Sequence, residues 1–564
     1  MYRLFFIALL MSLTFNTSIF GQEMADMVLE NGKIITMNAQ KPRAEALAIK
    51  GDRILAVGTN AEMKKLSGDA TRVIDLKGAT AIPGFIEGHA HLSSIGTAIM
   101  NLDLMASKNW QHIIDMVKAE TAKKKPGEWI VGRGWHQEKW DKQESVLVEG
   151  FPVHDRLSAI SPDHPVLLVH ASGHASFGNA KAMELAGVTA QSKDPNGGTI
   201  MRNAKGEPTG IFVETAMSLV GKAYQDYQNS LSPEARKAQT RKAIQMAISE
   251  CLSKGITSFH DAGSDFGLID ILKEMADQKA LGMRLWIMAS GSNEELDARL
   301  PQYKLKDYGG GFLTVGGIKK YVDGALGSRG AWLLEPYTDQ PDTSGLNVTT
   351  MEELHKTAEI AQKHDFQLCT HAIGDRGNRE VLDIYEKYMN GQDLRWRIEH
   401  AQHLNPADIP RFASLKVIAS MQGVHCTSDA PFVVKRLGDK RASEGAYVWK
   451  ALLDAGAVVT NGTDAPVEDV SALASYYAMV TRKPKTMPPF YPQHKLTPME
   501  ALACYTTNNA YAVFEEDRKG RLAPGMYADI TVLSDDITAI DPEKIKKTRV
   551  KYTIVGGNVA YRHR

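Results

Sequence analysis

The chain has 564 residues, 43% of them hydrophobic and 23% charged. That exceeds one simple domain, and the composition is that of a globular protein rather than a disordered or fibrous one. Basic and acidic residues stand at 66 each, so no charge excess points to nucleic acid or an anionic membrane surface as partner.

The N-terminus differs from the rest. Met1-Tyr2-Arg3 supplies a positive charge, residues 4–15 are nearly all apolar, and a polar, small-residue stretch runs to Gly21-Gln22. This is the three-part order of a secretory signal, which predicts a secreted or periplasmic protein with a signal over 1–21. The apolar run is too short to span a bilayer comfortably, so no stable membrane span is expected once it is removed; an uncleaved anchor is the alternative. Cys251, Cys369, Cys426 and Cys504 show no CxxC spacing and read as buried thiols.

Residues 27–37 and 46–57 are β-rich, with turns at Asn31-Gly32 and Gly51-Asp52. The far end is alike, at 528–533 and again at 552–559 around Gly556-Gly557. The two ends, 22–82 and 515–564, are expected to build one small β-sandwich domain. Between them, across 83–514, eight β-like apolar runs alternate with helical stretches: 79–86, 256–260, 284–289, 313–322, 366–370, 396–399, 417–421 and 458–462. Eight such units predict an α/β fold, a closed (β/α)8 barrel. About 170 residues separate the first two runs, which is more than one helix can fill. An insertion over about 105–240 is therefore expected after the first strand. Loops after strands lie at the active-site face of such barrels, so the insertion should cover the pocket.

Most of the runs end in residues that carry chemistry. The first leads into Glu87-Gly88-His89-Ala90-His91, the fourth carries Lys319 and Asp323, the fifth ends in His371, the sixth in His400, the seventh is followed by His425 and the eighth by Asp464. Strand C-termini converge at one face, so these side chains should meet. His89 and His91 are two apart on a strand and share a face, where neutral imidazoles can hold one zinc-like ion. Alone, that pair is weak evidence and reads more readily as two surface or core histidines. A carboxylate such as Asp464 can ligate a metal and take a proton from its water, or can simply cap a helix. Lys319 by itself reads as a salt-bridging or snorkelling lysine.

The segment Pro83-Gly84-Phe85-Ile86-Glu87-Gly88-His89-Ala90-His91 resembles the first-strand signature of the amidohydrolase superfamily. The branch it looks most like is the amidohydrolase-3 group, with its YtcJ-like proteins and N-substituted formamide deformylases. Gly134-Trp135-His136-Gln137, Gly173-His174-Ala175, Thr370-His371-Ala372-Ile373-Gly374-Asp375, Arg397-Ile398-Glu399-His400-Ala401-Gln402 and Gly462-Thr463-Asp464-Ala465-Pro466 carry the same resemblance along nearly the whole mature chain. The resemblance implies roles. His89 and His91 would bind the more buried metal, and His371 and His400 the second. Lys319 would be the fourth-strand lysine that CO₂ can carboxylate to bridge two ions. Asp464 would be both a ligand and the catalytic base. The cofactor implied is a divalent metal, zinc by its histidine ligands, as one or two ions. Trp135, His136, His174, His260, Arg329 and His425 are candidate substrate contacts, each with a packing or ion-pair role as the alternative.

The expected function is hydrolysis of a non-peptide, amide-type C–N bond in a small molecule by metal-activated water. The alternatives are a lactone, other ester or phosphoester at the same site, or a non-catalytic exported binding protein. A homodimer is an expectation from the size of such barrels.

Overall fold

The computed structural model describes residues 23–137, 140–171 and 175–563. The signal-like segment over 1–21 and His174 lie outside these residues. At its centre eight parallel strands run in sequence order around a barrel: β1 Phe85–Ala90, β2 Ile256–Ser264, β3 Arg284–Ala289, β4 Leu313–Tyr321, β5 Gln367–Ala372, β6 Arg397–His400, β7 Ile418–Gln422 and β8 Val459–Gly462. Strands β1, β3, β6, β7 and β8 are buried at every position, as expected where one face meets the barrel interior and the other meets helices.

The seam between β8 and β1 is closed without a regular ladder. The Asp464 N–H donates to the His89 carbonyl at 2.7 Å and the His91 N–H to the Ala465 carbonyl at 2.9 Å. The Thr463 N–H donates to Glu87 Oε1 at 2.6 Å. Two glycines permit this approach. A Cβ on Gly88 would lie 2.5 Å from the Asn461 carbonyl oxygen, and one on Gly462 would lie 2.5 Å from the His89 nitrogen.

The first apolar run divides differently from its reading as one strand. Thr80–Pro83 pairs with Ile530–Leu533 in the small domain, and the barrel strand starts at Phe85. Pro83 lacks a ladder donor, and a Cβ on Gly84 would collide with Thr257. The chain therefore passes from one sheet to the other at Pro83-Gly84, and His89 lies within β1 rather than beyond it.

Both chain ends share one six-stranded sheet, in which Thr80–Pro83 and Lys33–Ile35 lie beside Ile530–Leu533, Val550–Val555 and Asn558–Arg562. A four-stranded sheet built around Met27–Glu30 accompanies it, and Leu29, Leu47, Ile34, Ile530, Val532 and Ile554 share one core. After β1, helix α1 (Leu92–Met100) leads into the insertion. Its six-stranded sheet, from Leu102–Asp103 to Pro208–Glu214, has its own core around Trp110, Trp135 and Phe177. The insertion ends nearer residue 230 than 240. Helix α2 (Pro233–Ser253), started by the Ser232 cap and Pro233, already packs back on α1, where a Cβ on Gly96 would meet the Ala243 carbonyl oxygen at 1.8 Å. All four cysteines are buried and unpaired. No helix among the described residues is long and apolar enough to cross a membrane.

The seam makes a testable demand. Gly462→Ala pushes a methyl group into the β1 backbone, an overpacking cost of about 1–3 kcal/mol. The variant should melt several degrees lower in calorimetry and lose metal affinity through the displaced His89. Unchanged melting together with unchanged metal binding would show that the seam tolerates a side chain.

Candidate metal centre and active site

The C-terminal ends of the strands bring six of the expected residues together: His89, His91, Lys319, His371, His400 and Asp464. Ligand atoms of His89, His400 and Asp464 all lie within 4.8 Å of one another, and all three residues are buried. His91 Nε2 is 3.2 Å from Asp464 Oδ1, and His89 Nε2 is 3.6 Å from the same oxygen. Lys319 Nζ lies 3.5 Å from His89 Nε2. The His371 ring centroid is 4.4 Å from that of His400, and His371 Nε2 is buried without a hydrogen-bond partner.

Backbone conformation explains how two of these residues reach the site. In β6, alternation turns Arg397 and Glu399 to one side and should turn His400 to the other. His400 and Ala401 instead adopt left-handed conformations, with φ of 79° and 44°, and Asp464 after β8 does the same at 57°. Non-glycine residues pay for that conformation and hold it where surrounding contacts dictate it, commonly at functional sites.

The donor set fits a divalent cation. The His89 Nδ1–H donates to Glu399 Oε2, and the His400 Nδ1–H donates to Gln422 Oε1 at 2.7 Å. Both contacts fix the tautomer, leaving each Nε2 as an unprotonated acceptor, that of His89 facing Lys319 Nζ. Burial holds the His89 imidazolium down to about 4 and that of His371 to about 3, with the Lys319 charge adding to both, and burial keeps His400 well below its ordinary range. All three are therefore neutral, as ligands must be. For Asp464, burial alone would raise the pKa. The hydrogen bond from His91, foremost among the histidine contacts around it, outweighs that and keeps it ionised. Burial lowers the Lys319 ammonium.

Several residues that shape the centre were named in the sequence without a role. Glu399 is fully buried; burial raises its pKa, but Arg397 and His89 together hold it well below the ordinary carboxylate range. Arg397 grips it at 2.7 and 3.1 Å and also donates to the Gly88 carbonyl at 2.8 Å and to Ser420 Oγ at 2.7 Å. A charged pair at alternate positions of an otherwise apolar strand was the available signal. Glu87, pushed by burial to about 8, clamps the seam through Thr463. Asp323 accepts from the backbone nitrogens of Trp332, Ile373 and Gly374, pinning the loops after β4 and β5.

The remaining candidates separate. His425 belongs to the centre: its Nδ1 meets Gln402 Nε2 at 3.1 Å, and its buried Nε2 lies 4.0 Å from Asp464 Oδ2. Three others have their side chains engaged by neighbouring residues. Trp135 is fully buried in the insertion core, its indole donating to the Leu168 carbonyl at 3.0 Å, because its large apolar ring fills that core. His260 is fully buried in β2 and held by Arg397 at 3.2 Å, making it part of the frame below the centre. Arg329 is bound to Asp339 at 2.9 Å, a neighbouring acid that satisfies its charge. His136 lies in the insertion, its ring 4.6 Å from His170.

Barrel and cluster together define a class: a (β/α)8 protein with a histidine–carboxylate centre at the strand C-termini. The model for the Amidohydrolase family matches residues 72–561. The chain belongs to that family. It is 34% identical to Protein LONG AFTER FAR-RED 3 of Arabidopsis thaliana, with 95% of this chain and 92% of that one covered. It is 32% identical to the putative amidohydrolase YtcJ of Bacillus subtilis, covering 95% and 99%. It is 26% identical to the N-substituted formamide deformylase of Arthrobacter pascens, covering 96% and 99%. Among solved structures, an uncharacterized metal-dependent hydrolase of Pyrococcus furiosus superposes with a TM-score of 0.73 at 28% identity, covering 91% of this chain and 99% of that one.

Two outcomes are expected. Glu399→Gln should weaken zinc binding about 10–100-fold in competition with a chromophoric chelator, the usual effect of removing such a partner. Unchanged affinity would demote Glu399 to packing. The metal-free chain should also lose stability as pH falls from about 6.5 toward 4. His89, His371 and His403, the last held by burial to about 3, stay neutral when folded but take up protons when unfolded. That stability is fully present above the unfolded histidine pKa and is lost as pH falls through the folded values. Glu87, at about 8, and Asp323, raised by burial to about 7, oppose the trend, as do Asp261, Asp375 and Asp429, which burial also raises. The depressed His260, His400 and His494 bring the histidines to six against those five acids. A melting temperature flat or rising between pH 6.5 and 4 would contradict this account.

Proposed function

We propose that the chain hydrolyses an amide-type C–N bond outside peptides, with N-substituted formamides and N-acyl compounds as the substrate class. The observation that carries this is the convergence of His89, His400 and ionised Asp464 within 4.8 Å on buried strand ends. Relatives named as an amidohydrolase and an N-substituted formamide deformylase support it.

A divalent ion bound here, zinc by its imidazole ligands, would polarise a carbonyl and make water acidic enough to act near neutral pH. His89, His91, His371, His400 and Asp464 are the residues that would hold it. Lys319 is the residue that carboxylation would convert into an anionic bridge between two ions. Its amine is buried 3.5 Å from His89 Nε2, where an added carboxylate would reach the cluster.

Asp464 stays ionised, so it accepts the proton of the attacking water and returns it to the departing nitrogen. With Gln402 donating to His425 Nδ1, the His425 proton sits on Nε2. That N–H, 4.0 Å from Asp464 Oδ2, is placed to donate to a substrate oxygen on the same side. Export to the periplasm or medium belongs to the same proposal, supported by the charged, apolar and polar order of the N-terminus.

The test pairs substrate with variant. Zinc-loaded enzyme should turn over N-benzylformamide faster than the matched formate ester and triester phosphate, and Asp464→Asn should lose at least ~10³-fold in kcat while still binding zinc. Wild-type turnover by Asp464→Asn would remove the assigned base. A preference for the ester would move the reading to ester or lactone hydrolysis.

A further inference from the structure

The other end of the barrel holds a second concavity. A cavity of about 580 Å³ opens where β4, β5 and β6 begin, and it is walled by Trp286, Trp396, Phe366, Leu394 and Phe514. Its lining includes Thr314, Val315 and Gly316 at the start of β4 and Gln367 at the start of β5. The catalytic candidates lie at the opposite ends of the same strands, so this space is separate from the metal centre.

Three features make it a built site rather than a surface dent. Trp286 and Trp396 are each 1% exposed, so the walls are rigid core rings. Gly316 lines the cavity, and a Cβ there would lie 2.9 Å from Trp286 Nε1. The missing side chain thus leaves the indole N–H open to the space. Trp286 and Gly316 both line the cavity, so this N–H faces it as a donor. At the rim, Lys304 is paired with Asp365 and Arg518 with Asp307, whereas Lys306 has no ion-pair partner among the described residues.

We propose that this cavity is a second ligand site, for a small flat aromatic carboxylic acid. Ring walls favour a stacked or edge-on aromatic ligand. The Trp286 N–H supplies a donor for one carboxylate oxygen, and Lys306 supplies the uncompensated positive charge at the mouth. The volume suits one such molecule. Phe514, 41% exposed with a left-handed φ of 57°, forms the lip. The site does not depend on which bond the metal centre cleaves.

The test ligand is 4-iodobenzoate, applied to the full chain. Crystals soaked in it should show an anomalous iodine peak between Trp286 and Phe514. In solution, calorimetric titration should give one site, with affinity reduced at least tenfold by Leu394→Trp, which fills the cavity, and unchanged by Asp464→Asn at the other end. Iodine density confined to the barrel mouth, or wild-type affinity in Leu394→Trp, overturns the proposal. So does an absence of binding, or a dimer in which a second copy covers Phe514 and excludes the ligand. If Leu394→Trp does not fold, the soaked crystal alone decides.

Discussion

Glu399 carries a charge with no access to water, and such a charge must be paired where it stands. Arg397 supplies the pairing, and its remaining donors reach the Gly88 carbonyl on β1, Ser420 on β7 and His260 on β2. One guanidinium therefore ties four strands around a single carboxylate. Glu399 Oε2, which also accepts from Arg397, accepts the hydrogen bond of the His89 Nδ1–H, which leaves Nε2 for a cation. The strength of this frame lies in what its loss would cost: breaking a buried pair leaves an uncompensated charge, a penalty of about 3–5 kcal/mol. The frame is accordingly a reason for the site's geometry more than a source of net stability.

Above that frame the chain accepts strain. His400 and Asp464 both hold positive φ, at a cost on the order of 1–3 kcal/mol each. His400 is kept there by Gln422, and Asp464 by its own N–H bond to the His89 carbonyl across the seam. The seam thus closes the barrel and aims Asp464. The close approach at Gly88 and Gly462, which interrupts a regular ladder, is what brings Asp464 beside His89 and His91.

Much of this was legible in the sequence, for physical reasons. Parallel barrel strands are buried on both faces, so they read as short apolar runs, and their C-terminal chemistry stood out as His89, His371, His400 and Asp464 against that background. The first boundary misled because Pro83-Gly84 joins two strands of different sheets into one apolar stretch. Contacts between distant segments were not legible: Arg397 with Glu399 looked like an ordinary motif until His89, 310 positions from Glu399, met it. The surroundings of candidates named by residue type alone were not legible either. Trp135, His260 and Arg329 are polar or aromatic enough to suit a site, and only the folded packing shows Trp135 in the insertion core, His260 against Arg397 and Arg329 paired with Asp339.

The central claim is that the buried cluster holds divalent metal, with Lys319 completing it. It is tested most directly by measuring the metal content of purified protein by inductively coupled plasma mass spectrometry, for wild type and Lys319→Ala after identical zinc and bicarbonate loading. The account predicts about two equivalents in wild type and clearly fewer in the variant. No metal in wild type under any loading condition would contradict it.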